Sequence, residues 1–390
     1  MKLLDRYLLH KFLVAYLACF VSVVALYVVI DLFTRLDEFV DGDGEATVTL
    51  SPPTKDTTKN KPDAAKTKRG KTTEEMLLGV GSYYLYRLPL IFQRLSTMMA
   101  LLAATFTLGW LERQNELLPC LSAGVSMRRL LLPVWCGILA LIGLGIANRE
   151  WLVPQCAPQI MRSAEDTSGK RPVLVQGRYD SRNVLFEGRV GYPDRQMVQL
   201  ANITLPSRLT GGMIHLNCLE MFYRPAKGQD VSGWYLMGCT PSNLDPCPWP
   251  LQQLAPGQYF LFTDMTYDRL TRRTNWFTYQ STRQLLDLLG SDDQFPRRME
   301  VIALVHQRFT EPVLEFLLLV VGVTLVIGRP DQNLFIKIGL ALGLFGLYYG
   351  LQLLFAASAR TQFLDPVLAA WLPVFAFGPL SFALLDGMRS

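Results

Sequence analysis

Histidine, charged residues and paired cysteine motifs are scarce in this chain. Its 390 residues include only three histidines, and charged residues make up 18%. No CxxC pair occurs, and His10, His215 and His306 lie far apart, so the sequence offers no set of metal ligands. No serine, histidine and carboxylate arrangement stands out either. We therefore expect no metal, no cofactor and no catalytic site.

Hydrophobic residues account for 50% of the chain, a composition typical of membrane proteins. A helix needs about 20 mostly apolar residues to cross a bilayer. Six segments are candidate spans: residues 12–30, 88–111, 130–148, 312–327, 334–356 and 367–385. The first follows basic residues, but its apolar run is too long for a signal peptide and no cleavage site follows, which predicts a retained span.

Lysine and arginine in the short loops indicate the orientation of these spans. Basic residues flank the spans on one side only: Lys2, Arg6, Lys11, Arg113, Arg128, Arg129, Arg329, Lys337 and Arg389. We predict that this side is cytoplasmic and that both termini lie there. The net charge of +5 then reflects topology, so nucleic acid is not an expected partner.

The chain divides into three spans, a soluble insert and three more spans. The segments are residues 1–40 with the first span, 41–75, 76–153 with spans two and three, 154–300, and 301–390 with the last three spans. The insert at 154–300 contains short runs of strand-forming residues separated by turn residues, which predicts a β-sandwich, jelly roll or open barrel-like sheet. Residues 41–75 have almost no large apolar side chains, which predicts disorder outside the cytoplasm.

Two further patterns concern nucleotides and disulfides. Residues 65–72 fit a loose phosphate-loop pattern, but no buried strand precedes them and no helix follows, so we expect ATP to be hydrolysed by another chain. Four cysteines fall in the predicted outer domain, and Cys239 and Cys247 flank a turn-rich stretch. A disulfide between these two is one prediction, and free, partly buried thiols are the alternative.

Charges in or near the spans mark candidate functional positions. Arg94 and Glu315 lie at similar depth, so they form an ion pair or each face the headgroups or a water-filled cavity alone. Arg35, Arg87 and Arg149 fall near the outer ends of the first three spans. These arginines, with Arg94 as a fourth candidate, suit contact with lipid phosphates or serve as interfacial anchors. Lys337 is expected to extend towards the headgroups.

The loop at residues 113–129, between the second and third spans, carries the clearest functional pattern. Leu117, Leu118, Leu121 and Val125 recur at helical spacing, with Glu116 near the start and Gly124 near the end of the segment. This spacing predicts a short amphipathic helix. On the cytoplasmic side, such a helix can be gripped by another protein.

The order of short motifs resembles the lipopolysaccharide-export permease family, the LptF/LptG-type subunits of an ABC transporter. Each motif is weak by itself, and together they cover nearly the whole chain at matching spacing. They are residues 1–7 (MKLLDRY), 86–89 (YRLP), 115–118 (NELL), 123–126 (AGVS), 233–236 (GWYL), Arg308, Pro312 and 370–373 (AWLP).

This resemblance implies a six-helix, three-plus-three membrane bundle with an inserted periplasmic all-β, jellyroll-like domain. It implies that Glu116, Leu117, Gly124 and Ser126 couple the chain to an ABC ATPase dimer. The other implied partners are a homologous permease subunit, periplasmic jellyroll bridge proteins and lipopolysaccharide. The chain departs from the family pattern in Pro119 within the coupling helix, in a missing proline near residues 94–96, and in the insertion at 41–75.

Three functions follow from these expectations. The first is a permease subunit, itself not an enzyme, that extracts lipopolysaccharide from the inner membrane and passes it to a periplasmic bridge. The second is a permease for another lipid or a lipoprotein, which would share every feature above. The third is a non-transporting membrane anchor that presents a β-domain, and this function has no use for a docking helix at 113–129.

Overall fold

The computed structural model describes residues 2–34, 73–161, 172–225, 232–245, 247–290, 297–328, 332–361 and 363–387. Arg35, the phosphate-loop-like segment and residues 41–72 lie outside the described residues, so predictions about them stay predictions. The expectation that no helix follows residues 65–72 is wrong, because a helix begins at Thr73, which also makes residues 73–75 helical. Two compact units are present. One consists of the helices near the two ends of the chain, together with Tyr84–Ile160, and the other is formed mainly by Met161–Trp276.

Helices dominate the first unit. The α-helices among the described residues are α1 Lys2–Thr34, α2 Thr73–Arg113, α3 Leu117–Ser122, α4 Met127–Ala147, α5 Val153–Ile160, α6 Ser207–Thr210, α7 Tyr267–Thr271, α8 Thr282–Gly290, α9 Arg298–Ile327, α10 Leu334–Arg360 and α11 Pro366–Gly387. A π-helical turn, Asn148–Leu152, joins α4 to α5. Among the described residues, six helical segments are long and apolar enough to cross a membrane, which confirms the six predicted spans.

The helical core forms where α1, α2, α4 and α9 meet. Phe12, Met99, Ile138 and Leu319 are among its buried side chains. Close approach depends on a small residue, because a methyl group at Gly137 would lie 2.7 Å from the Phe12 ring. The fourth span is the most enclosed of the six, and its helix α9 begins well before Pro312, where the sequence pattern placed the start.

In the part of the second unit that the structure describes, nine strands form one antiparallel sheet. The strands are β1 Val173–Leu174, β2 Arg178–Tyr179, β3 Leu185–Glu187, β4 Val190–Tyr192, β5 Met197–Leu205, β6 Ile214–Arg224, β7 Gly233–Met237, β8 Leu251–Ala255 and β9 Gln258–Phe262. The sheet order is β1-β4-β5-β6-β7-β9-β8, and β3 pairs with both β2 and β5. This β-region between the third and fourth spans confirms the predicted all-β, jellyroll-like insert.

The sheet's apolar core centres on Trp234 of β7. Its side chain is fully buried, and its indole N–H donates a 2.7 Å hydrogen bond to the carbonyl of Met265. Tyr267 and Leu270 of α7 pack into the same core as the inward side chains of β5 and β6. Burial along β6 alternates between Leu216 and its neighbours, the period expected of a half-buried strand.

The predicted disulfide between Cys239 and Cys247 is wrong. The structure joins Cys218 to Cys239 instead. Strand register is the reason: Glu220 of β6 pairs with Met237 of β7, so two residues further along, Cys218 lies opposite Cys239. Cys247 is a free thiol, and its Sγ donates to the carbonyl of Leu251 over 3.4 Å.

Helix α8 precedes the fourth span. Ser281 and Gln284 form a reciprocal capping box: the backbone N–H of Ser281 donates to Gln284 Oε1 over 2.9 Å, and the N–H of Gln284 donates to Ser281 Oγ over 3.3 Å. The described part of the helix runs to Gly290. Its start agrees with the sequence pattern, since capping is decided within one turn of the chain.

Candidate functional site

The loop between the second and third spans folds into a compact, exposed turn-helix-turn. Asn115 has a φ of 55°, Glu116 precedes α3, and Gly124 ends the segment with a φ of 78°. The helix is thus only six residues long, shorter than the predicted 113–129. Pro119 limits its start, because proline is tolerated only in the first turn, where amide groups lack intrahelical partners.

One side of α3 is anchored to the spans and the other faces outward. Leu117 and Cys120 pack against Leu8, Leu111 and Leu130 at the ends of the neighbouring spans. Leu118 and Leu121 point away from this cluster, and Leu118 is 67% exposed. An exposed pair of leucines on a held helix is typical of a surface that another protein covers.

Glu116 stands beside this leucine surface. Its carboxylate accepts a hydrogen bond from the Tyr7 hydroxyl of α1 over 3.2 Å. The Gln114 side-chain amide is oriented so that both of its polar atoms form hydrogen bonds. Its nitrogen donates to Glu116 Oε1 over 3.0 Å, and its oxygen accepts from Trp110 Nε1 over 2.9 Å. These neutral donors hold the carboxylate in place without neutralising its charge. Glu116 is therefore a positioned, half-exposed anion.

Gly124 and Ser126, the other predicted coupling positions, shape the exit of the loop. Both are exposed, and a methyl group at Gly124 would meet nothing within 4 Å. The backbone at Gly124 nevertheless requires the left-handed conformation that side chains disfavour. Ser126, with an extended backbone, occupies the position before α4. The structure thus brings Glu116, Leu117, Gly124 and Ser126 together in one short segment.

A buried ion pair ties the base of this loop to the fifth span. Lys337, at the start of α10, contacts the carboxylate of Glu112 in the last turn of α2. The Lys337 side chain is only 2% exposed, so the expectation that it extends to the headgroups is wrong. The two helices also touch at Gly109, where an added methyl would lie 2.5 Å from Leu334. Sequence reasoning missed this pair, although both residues lie at the same end of their spans.

The arginines predicted at the opposite ends of the spans differ in their surroundings, and Arg35 lies outside the described residues. Arg149 Nη1 contacts Glu311 Oε2 at 2.5 Å, and Arg149 Nη2 donates to the carbonyl of Arg308 over 2.9 Å. Arg149 is therefore bound within the protein and not free for a lipid phosphate. Arg87 is half-buried and Arg94 is exposed. In the described part of the chain, no hydrogen bond or ion pair joins Arg87, Arg94 and Arg149 to one another.

The alternative ion pair between Arg94 and Glu315 is also absent among the described residues. Glu315 accepts a 2.7 Å hydrogen bond from the hydroxyl of Thr97. Thr97 is buried one turn further along α2, whereas Arg94 lies on an exposed part of the helix. A neutral hydroxyl thus occupies the position that the prediction gave to Arg94.

Glu150 is the residue of this region that sequence reasoning missed, and Arg308, noted there only as part of the family resemblance, lies beside it. Glu150, in the π-helical turn, accepts from the Thr282 backbone N–H over 2.8 Å and from its hydroxyl over 2.5 Å. Arg308 donates to the carbonyl of Thr278 over 3.2 Å, and its guanidinium lies 3.9 Å from Glu150. This network joins the third and fourth spans to α8. A π-helix, in which backbone hydrogen bonds join residues five positions apart, is rare and often occurs at functional sites. The sequence carries no signal for this one.

Taken together, the fold and the loop define a class: a multi-pass membrane protein with an inserted β-sheet region and a short, exposed helix between its second and third spans. The family model described as lipopolysaccharide export system permease LptF/LptG matches residues 75–183 and 255–386, more than half of the chain. The chain belongs to this permease family. A search of curated proteins gave no match to it.

Proposed function

We propose that this chain is one permease subunit of an ABC transporter that extracts lipopolysaccharide from the inner membrane and passes it to periplasmic bridge proteins. Membership of the permease family supports the transported lipid. ATP is hydrolysed by a separate ATPase dimer, and a homologous permease completes the membrane channel. The loop that carries α3 lies in the cytoplasm, and the β-sheet region lies in the periplasm.

The single observation that carries the coupling role is the exposed leucine surface beside Glu116. Leu118 and Leu121 offer apolar area to a groove on the ATPase, and the Glu116 carboxylate offers charge to an arginine at the rim of that groove. Tyr7 fixes the carboxylate to the first span, so movement of the docked loop is passed directly to α1. A membrane-anchored scaffold would gain nothing from such a surface.

Replacement of Glu116 tests the proposal. Loss of one partner of a charge-assisted contact costs about 2–5 kcal/mol when the other charge is left unpaired. We expect Glu116→Ala to lose co-purification of the ATPase and ATP-driven release of lipopolysaccharide from proteoliposomes. Glu187→Ala, which removes an exposed carboxylate on β3, is the matched control and should change neither quantity. Full ATPase association by Glu116→Ala would contradict the coupling role.

A further inference from the structure

The carboxyl group of Glu315 lies near the middle of the fourth span and has no cation beside it. Glu315 is 12 residues before the end of α9 at Ile327, which is about 18 Å at 1.5 Å per residue. Half of a hydrocarbon core about 30 Å thick is about 15 Å, so this depth is close to the middle of a bilayer. Among the described residues Glu315 forms no ion pair, and the hydroxyl of Thr97 donates to its carboxyl over 2.7 Å.

Three other spans place buried side chains near this carboxyl. Thr97 of α2 is 8% exposed, Tyr16 of α1 is 7% and Tyr348 of α10 is 4%. A hydrogen bond of 3.2 Å joins Tyr16 to Ser96, the neighbour of Thr97. Both tyrosines lie within electrostatic range of Glu315. Hydroxyl groups donate hydrogen bonds, but they carry no positive charge that would neutralise a carboxylate.

The charged groups that act on Glu315 are Glu311, one turn earlier on α9, and Arg149. Arg149 is bound to Glu311 at 2.5 Å. Glu150 lies 3.8 Å from Arg149 and 3.9 Å from Arg308. Three carboxyl groups therefore share two guanidinium groups. Glu315 is the carboxyl that reaches neither arginine, so it is the one left without a counter-charge.

The other helices supply no counter-charge in the part of the chain that the structure describes. Arg94 of α2 is exposed, and Lys337 of α10 is bound to Glu112 near the start of that helix. Helix α11 has no titratable side chain between positions 366 and 384. A carboxylate at this depth without a counter-charge is costly, and binding a proton removes the charge and with it the cost.

A small cavity connects this region to water-sized space. It lies between α9, α10 and α11, and Thr310 and Gln352 give it polar walls. Its volume of about 30 Å³ can hold one water molecule, which needs at least about 10–15 Å³. Leu314, the residue before Glu315, also lines it. Gln352 Nε2 donates to the Tyr348 hydroxyl over 2.9 Å, so the cavity wall is hydrogen-bonded to an electrostatic neighbour of the carboxyl.

We propose that Glu315 is a proton-binding site of the helical unit. The carboxyl keeps its proton while α1, α2 and α9 are packed: one oxygen accepts from Thr97 and the other carries the proton. When these spans separate and water reaches the carboxyl, its O–H bond breaks, the proton passes to a water molecule and a hydrated carboxylate remains. Water in the cavity beside Gln352 is the route by which the proton exchanges. The site does not involve the docking loop, residues 113–129, and does not depend on which lipid is transported.

Infrared spectroscopy detects the proton directly, because a protonated carboxyl has a carbonyl stretch that a carboxylate lacks. The sample is the full chain in nanodiscs, with the partners that co-purify. At neutral pH the wild type should show this band, and Glu315→Gln should lose it. Glu187→Gln, which removes an exposed carboxylate on β3, is the control and should keep it. An unchanged band in Glu315→Gln would overturn the proposal.

Thr97→Val assigns the band without removing the acid. Valine has nearly the shape of threonine but cannot donate to the carboxyl, so the carbonyl stretch of a protonated Glu315 should shift in frequency. A band at the wild-type frequency in Thr97→Val would show that another carboxyl produces it and contradict the proposal.

The pH dependence of thermal unfolding is the second measurement. If the packed bundle holds a proton that the unfolded chain releases, stability must fall as the pH rises from neutral to alkaline. Glutamine resembles the protonated carboxyl and does not titrate, so Glu315→Gln should lose less stability than the wild type over the same range. Other titrating groups are common to both chains. Equal losses in the two would contradict a proton bound at Glu315.

The route is tested by transfer into D₂O, which shifts the band of a protonated carboxyl as deuterium replaces its proton. Ala356→Val narrows the cavity, since Ala356 lines it. Ala357→Val is the matched control, because Ala357 is the adjacent residue, is exposed and does not line the cavity. Exchange should be slower in Ala356→Val than in the wild type and unchanged in Ala357→Val. Equal exchange rates in the two variants would contradict the assignment of this cavity as the proton's route.

Discussion

At the scale of single residues, the Glu112–Lys337 pair shows how charges are used at the membrane boundary. Both side chains are largely enclosed, and they connect the helix that leads into the docking loop with the fifth span. Two charges removed from water stabilise a fold only while each neutralises the other. The pair therefore fixes a contact between two spans more strictly than an apolar pair of the same size.

Lys337→Met should strongly destabilise the protein, because it leaves the Glu112 carboxylate buried without a partner. Breaking such a pair costs about 3–5 kcal/mol. The reversed double variant Glu112→Lys with Lys337→Glu should recover most of that loss. Thermal unfolding in detergent measures both, with Arg128→Met, an exposed cation at the same end of the spans, as control. An unfolding temperature for Lys337→Met equal to that of wild type would show that the pair contributes nothing.

Arg149 gives the clearest example of what residue identity does not reveal. Its position near a span end indicated a headgroup contact, yet its partner Glu311 is 162 residues away and meets it only after the third and fourth spans pack. The disulfide partner predicted for Cys239 is wrong for the same reason, because the true partner depends on the register of two strands and not on the nearest turn. Both errors concern pairing between distant segments.

Arg149→Ala should lower the stability of the helical unit by several kcal/mol, since Glu311 loses its ion partner. Arg94→Ala should leave stability unchanged, because the Arg94 side chain is exposed and makes no ion pair among the described residues. Chemical unfolding of the two variants separates these roles. A stability loss in Arg94→Ala, or none in Arg149→Ala, would contradict the conclusion that Arg149 stabilises the helical unit and Arg94 does not.

At the scale of helices and strands, boundaries set by local chemistry follow from the sequence. The capping box of Ser281 and Gln284 and the alternation along β6 each depend on residues within a few positions. The pairing of strands is not set locally, because β2, β4 and β8 each take their place in the sheet through ladder partners elsewhere in the chain. The predicted helix within residues 113–129, with Glu116 near the start and Gly124 near the end, is present but shorter, at Leu117–Ser122.

Gly124→Ala tests whether the exact path of the docking loop matters. Alanine in the left-handed region costs roughly 1–2 kcal/mol, so we expect weaker ATPase association with the fold retained. Gly211→Ala is a close control: Gly211 has a φ of 73°, lies in the β-sheet unit and likewise has nothing within 4 Å of an added methyl. Both variants should lose similar stability, and only Gly124→Ala should lose ATPase binding. Equal ATPase binding by the two would show that the loop tolerates a change of path.

At the scale of the whole molecule, function depends on which side of the membrane each exposed segment faces. The orientation proposed from the loop basic residues puts the Cys218–Cys239 bond outside the cytoplasm, and disulfides persist outside the reducing cytoplasm. In that orientation the exposed leucines of α3 face the compartment that supplies ATP. The Cys218–Cys239 bond then lies in the oxidising compartment.

Cysteine labelling decides the orientation. In a chain whose free cysteines Cys19, Cys120, Cys136, Cys156 and Cys247 are serine, the Cys218–Cys239 bond is kept and one exposed residue at a time becomes cysteine. Met213→Cys, on a side chain 65% exposed, should react with a membrane-impermeant maleimide in intact spheroplasts. Leu118→Cys, 67% exposed, should react only after permeabilisation. Because the two side chains are about equally exposed, a difference in their labelling reports only which side of the membrane each one faces. The reverse pattern would place the docking loop outside the cell, where no ATPase could reach it.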